Sequence, residues 1–387
     1  MGRTATLGRA TRNLHFAATA ILSLLLVPLL ARLRLPLKFD WGFLLGAYWG
    51  GFTVRAIFFA SLLWVVELPF RQSVQPVLWR YRKDKRRLLI LLPLLLLLYT
   101  LYDAATFVRF SIAALALFEL GDRSRDEPGL VSNAARAILL PALYLFLGLL
   151  LVSCLNNMTM RMRPYSEYDV FFDKADAWLL GGLTVPQIAH TAAEVLPAPI
   201  FRSLEFVYFE MMDQVGAALI LLGFNGGKSR AFRFVGTVLT AYYVSVLLFY
   251  FWPSQGPYSL APAHLGVVPP DLKVYLVQQS LFEKAKWIWL GGTIEKIAFE
   301  YYIAFPSMHT ALMMIVLWFL RDRRRVVAVL LGFDLIIGAA MILLEWHYLV
   351  DVFGGAAVAV LSILAVGDCK VASREAPPGA PPGRDLA

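Results

Sequence analysis

Charge is scarce in this chain: only 16% of its 387 residues are Asp, Glu, Lys or Arg, against roughly 25% in a soluble domain. With 59% hydrophobic residues and a mean hydropathy of +0.64, the composition excludes an ordinary water-soluble fold and implies a polytopic membrane protein. Cysteine is nearly absent. Cys154 and Cys369 stand far apart and supply neither a disulfide framework nor a metal-ligand spacing. No interleaved aromatic and basic surface accompanies the net charge of +9, so nucleic acid is not an expected partner. The basic residues cluster instead between apolar segments, as cytoplasmic loops do. An inverted internal repeat is also missing, which weighs against a transporter.

What the chain has in abundance is apolar runs of membrane-spanning length. They fall near residues 16–32, 42–67, 88–102, 104–120, 137–155, 203–224, 232–252, 303–320, 326–345 and 347–366, giving an all-α transmembrane bundle of about ten spans. Three basic clusters, Arg80 to Arg87, Lys228 to Arg230 and Arg321 to Arg325, all fall on the cytoplasmic side if the N-terminus is inside. Arg32, Arg34, Lys38, Arg161 and Arg163 break the rule. Between spans, Tyr165 to Pro199 mixes Phe171, Phe172 and Trp178 with Asp169, Asp173 and Asp176, and reads as amphipathic helix in the interface. Gln255 to Glu300 reads as a long outer loop, and the Pro- and Gly-rich tail after Gly367 as disordered.

Chemistry concentrates in two short stretches, Ala304-Phe305-Pro306-Ser307-Met308-His309-Thr310-Ala311 and Glu345-Trp346-His347-Tyr348-Leu349-Val350-Asp351. Each opens an apolar run. His347 and Asp351 are four positions apart, one helical turn, so a carboxylate can orient an imidazole. Counting spans puts both stretches, and Trp252 to Tyr258, at one membrane face away from the cytoplasm. Pro306 and Ser307 read as a helix start, where backbone N–H groups favour an anion, with Ser307 as an added donor.

Together Pro306 to His309 and His347 to Asp351 resemble the type 2 phosphatidic acid phosphatase (PAP2) superfamily, which carries a Pro-Ser-x-His element and, one helical hairpin later, a His-x-x-x-Asp element. Within it, Phe-Pro-Ser-Met-His-Thr-Ala and His-Tyr-Leu-Val-Asp-Val-Phe-Gly-Gly are most similar to the branch containing inositol phosphorylceramide synthases. The resemblance implies a six-helix core over residues 137–366, preceded by a transmembrane extension, 1–136, and followed by the tail, 367–387. It implies an integral membrane enzyme acting on lipid phosphates without a cofactor or metal. His347 would attack phosphorus to form a phosphohistidine, Asp351 would hold its other ring nitrogen, and His309 would protonate the leaving group. Ser307, Gln255 and Tyr348 are the expected substrate-binding residues. The implied reaction leans to transfer of a phospho-head group to an alcohol, with release of inorganic phosphate as the alternative.

Two positions depart from the family's pattern. Trp252 to Tyr258 holds neither Lys nor Arg where the family has both, and Met341 stands where an Arg usually precedes the nucleophile. Gln255, Lys273, Lys284, Lys286, Lys296, Arg161, Arg163 and Arg202 are the outer-side candidates to replace them. Other classes compete. Two His and a carboxylate also suit a metal-dependent membrane hydrolase, and a transporter would use the same groups as a proton relay together with Asp334. Asp334 is either a functional carboxylate or the structural partner of a group such as Arg55. Lone histidines at 15, 190 and 264 read as packed or interfacial residues, and Gly223 to Ser229 as an imperfect phosphate-loop imitation. Asn157-Met158-Thr159 fits a glycosylation acceptor, but abuts a helix end.

Overall fold

The computed structural model describes residues 130–163, 168–260, 272–292 and 303–366, with 55–57, 59, 60 and 63 of the preceding segment. Three of the four expected N-terminal spans, most of the second, and the tail lie outside the described residues. Regular structure among the described residues is helical. Helices α1 (Leu130–Met162), α2 (Asp169–Leu179), α3 (Val185–Val195), α4 (Ala198–Phe209), α5 (Met211–Phe251), α6 (Lys273–Trp289), α7 (Met308–Leu320), α8 (Arg324–Leu343) and α9 (Leu349–Val366) follow in order.

Five stretches are long and apolar enough to cross a membrane: Ser132–Met162, Ala198–Phe224, Gly227–Phe251, Arg324–Leu343 and Leu349–Val366. This is the composition of an integral membrane protein. A sixth apolar helix, α7, has 13 residues, about 20 Å at 1.5 Å per residue, which is short of the roughly 30 Å hydrocarbon layer. Large apolar side chains remain exposed on the outer faces, among them Leu335 and Ile336 of α8 and Phe353, Leu361 and Leu364 of α9. Lipid satisfies such a surface where water would not.

Helix α5 packs against α1, α7 and α9, while α4 lies on α8. Gly227 interrupts α5 with φ 69° and ψ 175°, a conformation that only glycine reaches without strain. It therefore marks the joint between two spans, which is the role of the segment that imitates a phosphate loop. At this basic end Arg230 forks onto Asp322 at 2.9 and 3.0 Å, closing α5 against the α7–α8 turn. Arg230 holds the Asp322 carboxyl below its usual range.

Sequence expectations need correction at three places. Helix α1 runs past residue 155 to Met162, because Ser153, Asn156, Asn157 and Thr159 are buried rather than ending it. Asn157 donates to the Ser153 carbonyl at 2.8 Å inside that helix, in keeping with the reading against a glycosylation acceptor. The outer loop contains α6, whose buried Val274, Gln278, Leu281, Ala285 and Ile288 repeat at helical spacing, with Leu281, Ala285 and Ile288 packing with Leu151, Cys154, Met158 and Met160 of α1. Its low overall hydropathy hid it. Arg55 pairs with Asp213 at 3.2 Å and not with Asp334, which lies beside Gln214. Through that ion pair, and through Phe59 packed edge-on to Phe333 at 5.4 Å, the N-terminal segment is tied to the core.

Helices α7 and α9 approach so closely that a Cβ on Gly355 would strike the Ser307 carbonyl. Backbone cannot move aside as a flexible side chain can. Gly355→Ala is expected to destabilise by about 1–3 kcal/mol and to lower the unfolding temperature in detergent. Gly332→Ala, facing open space, should leave it unchanged.

Candidate active site

Three segments distant in sequence meet at the end of the bundle opposite Arg230 and Asp322. Ala304 N–H donates to the Ser254 carbonyl at 3.0 Å, and Tyr258 N–H to the Glu345 carbonyl at 3.3 Å. Residues 252–258, 304–309 and 345–351 thus form one hydrogen-bonded cluster, as the span count requires.

Ser307 is the N-cap of α7: its Oγ accepts from Thr310 N–H at 3.4 Å, leaving His309 in the first turn. His347 precedes α9. Its backbone N–H and that of Trp346 both donate to the Met341 carbonyl, at 3.1 and 3.0 Å, folding the α8–α9 connection into a tight loop. Asp351 joins the two motifs. Its carbonyl accepts from Ser307 N–H at 3.0 Å, and its Oδ2 accepts from Tyr348 N–H at 2.8 Å.

The rings form a line. His309 Nδ1 lies 3.2 Å from His347 Nε2. On the far side, His347 Nδ1 is 3.0 Å from the Ala304 carbonyl and 3.4 Å from Asp351 Oδ2. Both neighbours of Nδ1 only accept, so the ring proton belongs on Nδ1 and the lone pair on Nε2. His309 Nδ1 then donates to that lone pair. Asp351 is fully buried and His347 nearly so. Tyr208 stacks on His309 with centroids 4.4 Å apart and on Trp346 at 5.6 Å, fixing the first ring from behind.

The remaining expected site residues fall into different places. Ser307 is fully buried, and its hydroxyl also lies 3.4 Å from Met341 Sδ. Gln255 is half-buried and donates its backbone N–H to Asp169 at 3.1 Å. Tyr348 is fully buried with its ring 6.0 Å from Phe172, a packing position rather than one open to a ligand. Met341, standing where an Arg was expected, is buried beneath the cluster. Of the basic candidates, Arg161 donates to the Gly292 carbonyl at 2.6 Å, and Lys273 sits 5.0 Å over the Phe209 ring. Lys296 lies outside the described residues. His190 faces Glu194 at 3.5 Å on the exposed side of α3.

Sequence reading missed two carboxylates. Asp169 accepts from Ser254 Oγ at 2.7 Å, Gly256 N–H at 3.0 Å, Gln255 N–H at 3.1 Å and Ser259 Oγ at 2.9 Å. Burial pushes its carboxyl up to about 6 against the pull of those donors. Asp176 accepts from Leu349 N–H at 2.6 Å and Val350 N–H at 3.0 Å, capping α9. Burial raises it to about 6 as well, with the nearby Asp351 and Asp173 carboxylates adding to the rise. Glu345 is a third buried acid, at φ 57°, and burial carries it to about 7. Gly256, at φ 113°, lets the 254–259 loop lie against the Trp346 carbonyl, where a Cβ would clash.

Residues 182–365 match the family model described as the PAP2 superfamily. No curated protein and no solved structure gives a significant match. The matched stretch carries His309, His347 and Asp351, and excludes Asp169 and Asp176. Among the described residues, no group of three His, Cys, Asp or Glu is placed to hold a metal ion.

The acceptor pair around His347 Nδ1 fixes a tautomer that can be observed. In histidine-15N-labelled protein at neutral pH, His347 is expected to show a protonated Nδ1 and an unprotonated Nε2. Asp351→Asn, which turns one acceptor into a mixed donor and acceptor, should shift the population toward Nε2–H.

Proposed function

We propose that this chain is an integral membrane enzyme that cleaves phosphate esters of lipids through a phosphohistidine on His347. The observation that supports it is the line Asp351–His347–His309: acceptors on Nδ1 leave the Nε2 lone pair as nucleophile, and His309 stands on the reacting side as proton donor. The PAP2 match over residues 182–365 agrees with phosphatase or phosphotransferase chemistry on lipid-like phosphates.

In the first half-reaction Nε2 attacks phosphorus, the bond from phosphorus to the lipid oxygen breaks, and His309, entering the step as the imidazolium, gives one proton to the departing oxygen and is left neutral. The imidazole becomes cationic, and the Asp351 carboxylate balances that charge. In the second half, His309 removes a proton from an incoming hydroxyl, whose oxygen attacks phosphorus as the N–P bond breaks. Water as the incoming group yields phosphate; an alcohol yields a new ester. Transfer to an alcohol, as in inositol phosphorylceramide synthases, is the finer reading, motivated by the Phe305 to Ala311 and His347 to Gly355 wording. The first turn of α7 supplies N–H groups and a positive helix end to the phosphate oxygens. That contribution stands in for the missing Lys and Arg of the 252–258 segment. Residues 137–366 are the proposed catalytic unit, facing away from the cytoplasm.

Protein purified in detergent with EDTA tests the reading when offered lipid phosphates, and phosphatidylinositol with ceramide. His347→Ala should lower turnover by about a thousandfold or more and abolish acid-labile 32P labelling of the protein. His309→Ala should be impaired on alkyl phosphates yet recover with a p-nitrophenyl ester, whose leaving group needs no proton. Loss of wild-type activity on chelation would instead favour the metal-dependent class. Full activity in His347→Ala would overturn the phosphohistidine route.

A further inference from the structure

Helix α2 is amphipathic in an unusual sense. Its outer face carries Val170, Phe171 and Trp178, the last 82% exposed, while its inner face carries Asp169, Phe172 and Asp176, each nearly or fully buried. In water the carboxylates would face out. Here the spacing of three and then four residues aligns them along one stripe, and each grips a different part of the site. Asp169 gathers the 254–259 loop through four donors. Phe172 stacks on Phe305 with centroids 4.7 Å apart and an interplanar angle of 25°. Asp176 holds the two N–H groups that begin α9, two and three residues after His347.

We propose that Asp169 and Asp176 are positioning residues for the reaction, through which α2 sets the separation of His309 and His347. Phe305 leads into Ser307 and His309, Leu349 and Val350 lie between His347 and Asp351, and the 254–259 loop braces both through Ala304 and Glu345. Loss of either carboxylate frees part-buried or buried backbone N–H groups at the site's edge, which must shift to find new acceptors. Displacement of about 1 Å at a reacting group costs up to a hundredfold in rate. The inference rests on the proposed function for its kinetic readout, and on geometry alone for its spectroscopic one.

Full-length protein in detergent, with dioleoyl phosphatidate as the probe, distinguishes the two. Asp176→Ala is expected to lower kcat by about ten- to a hundredfold with KM little changed, since the contact acts on the reacting rings and not on lipid binding. Asp176→Asn keeps one acceptor oxygen but turns an NH2 toward the second backbone N–H, so its kcat should fall between those of Asp176→Ala and wild type; Asp169→Ala and Asp169→Asn should behave likewise. Lys174→Ala, exposed on the same helix, serves as the neutral comparison. The 15N signals of His347 read the same variants without substrate, and should change in both alanine variants. Wild-type kcat, or an unaltered His347 spectrum, in folded Asp176→Ala would overturn the positioning role. Activity surviving in His347→Ala would defeat the functional reading and leave the spectroscopic arm to judge the positioning role. Should Asp176→Ala not fold, Asp176→Asn carries the test: a lowered kcat with KM little changed and an altered His347 signal supports the role, and wild-type kcat or an unaltered His347 signal contradicts it.

Discussion

A residue that acts through its backbone and its side chain at once holds this site together. The Asp351 carbonyl receives the Ser307 N–H, fixing where α7 begins, and its carboxylate receives the Tyr348 N–H beside the His347 ring. Remove the carboxylate and the imidazole loses its orientation; move the carbonyl and the cap of α7 shifts with His309. Burial makes both contacts count, because a carboxylate excluded from water must find its donors within the protein. Gly355, one turn further along α9, permits the approach on which the carbonyl contact depends.

Around that centre, the same physical problem recurs with the same solution. Connections between apolar helices leave backbone N–H groups unpaired near the membrane, where no bulk water reaches them. Ser307 serves α7, Asp176 serves α9, Asp169 serves the 254–259 loop, and the Met341 carbonyl serves the turn before His347. Each polar atom that satisfies the backbone also immobilises a segment bearing or bracing a reacting group. Structural and chemical demands therefore coincide, which is why a cluster with few charged side chains can still be rigid.

Much of this was legible in the residues themselves. Periodic apolar runs locate the spans from Ala198 onward, and the His309, His347 and Asp351 spacing identifies the trio that the fold brings into line. Helix α6 escaped because its buried stripe of Val274, Gln278, Leu281, Ala285 and Ile288 is diluted by Lys and Glu on its other face. Asp169 and Asp176 escaped for a deeper reason. Acids on an amphipathic segment are assigned to solvent by composition, and only the positions of Ser254, Gly256 and Leu349, distant in sequence, reveal that the polar face points inward. The pairing of Arg55 with Asp213 likewise depended on which helices adjoin, information that no single segment contains.

The inward-facing stripe of α2 also redraws where the working unit begins. The stretch that carries the PAP2 signature opens at residue 182, after α2 has ended at Leu179. A fragment cut at that boundary would retain every residue of the His–His–Asp line and lack the helix that braces its frame. Signature and scaffold are thus offset along the chain, and the boundary that conserves chemistry is not the boundary that conserves shape.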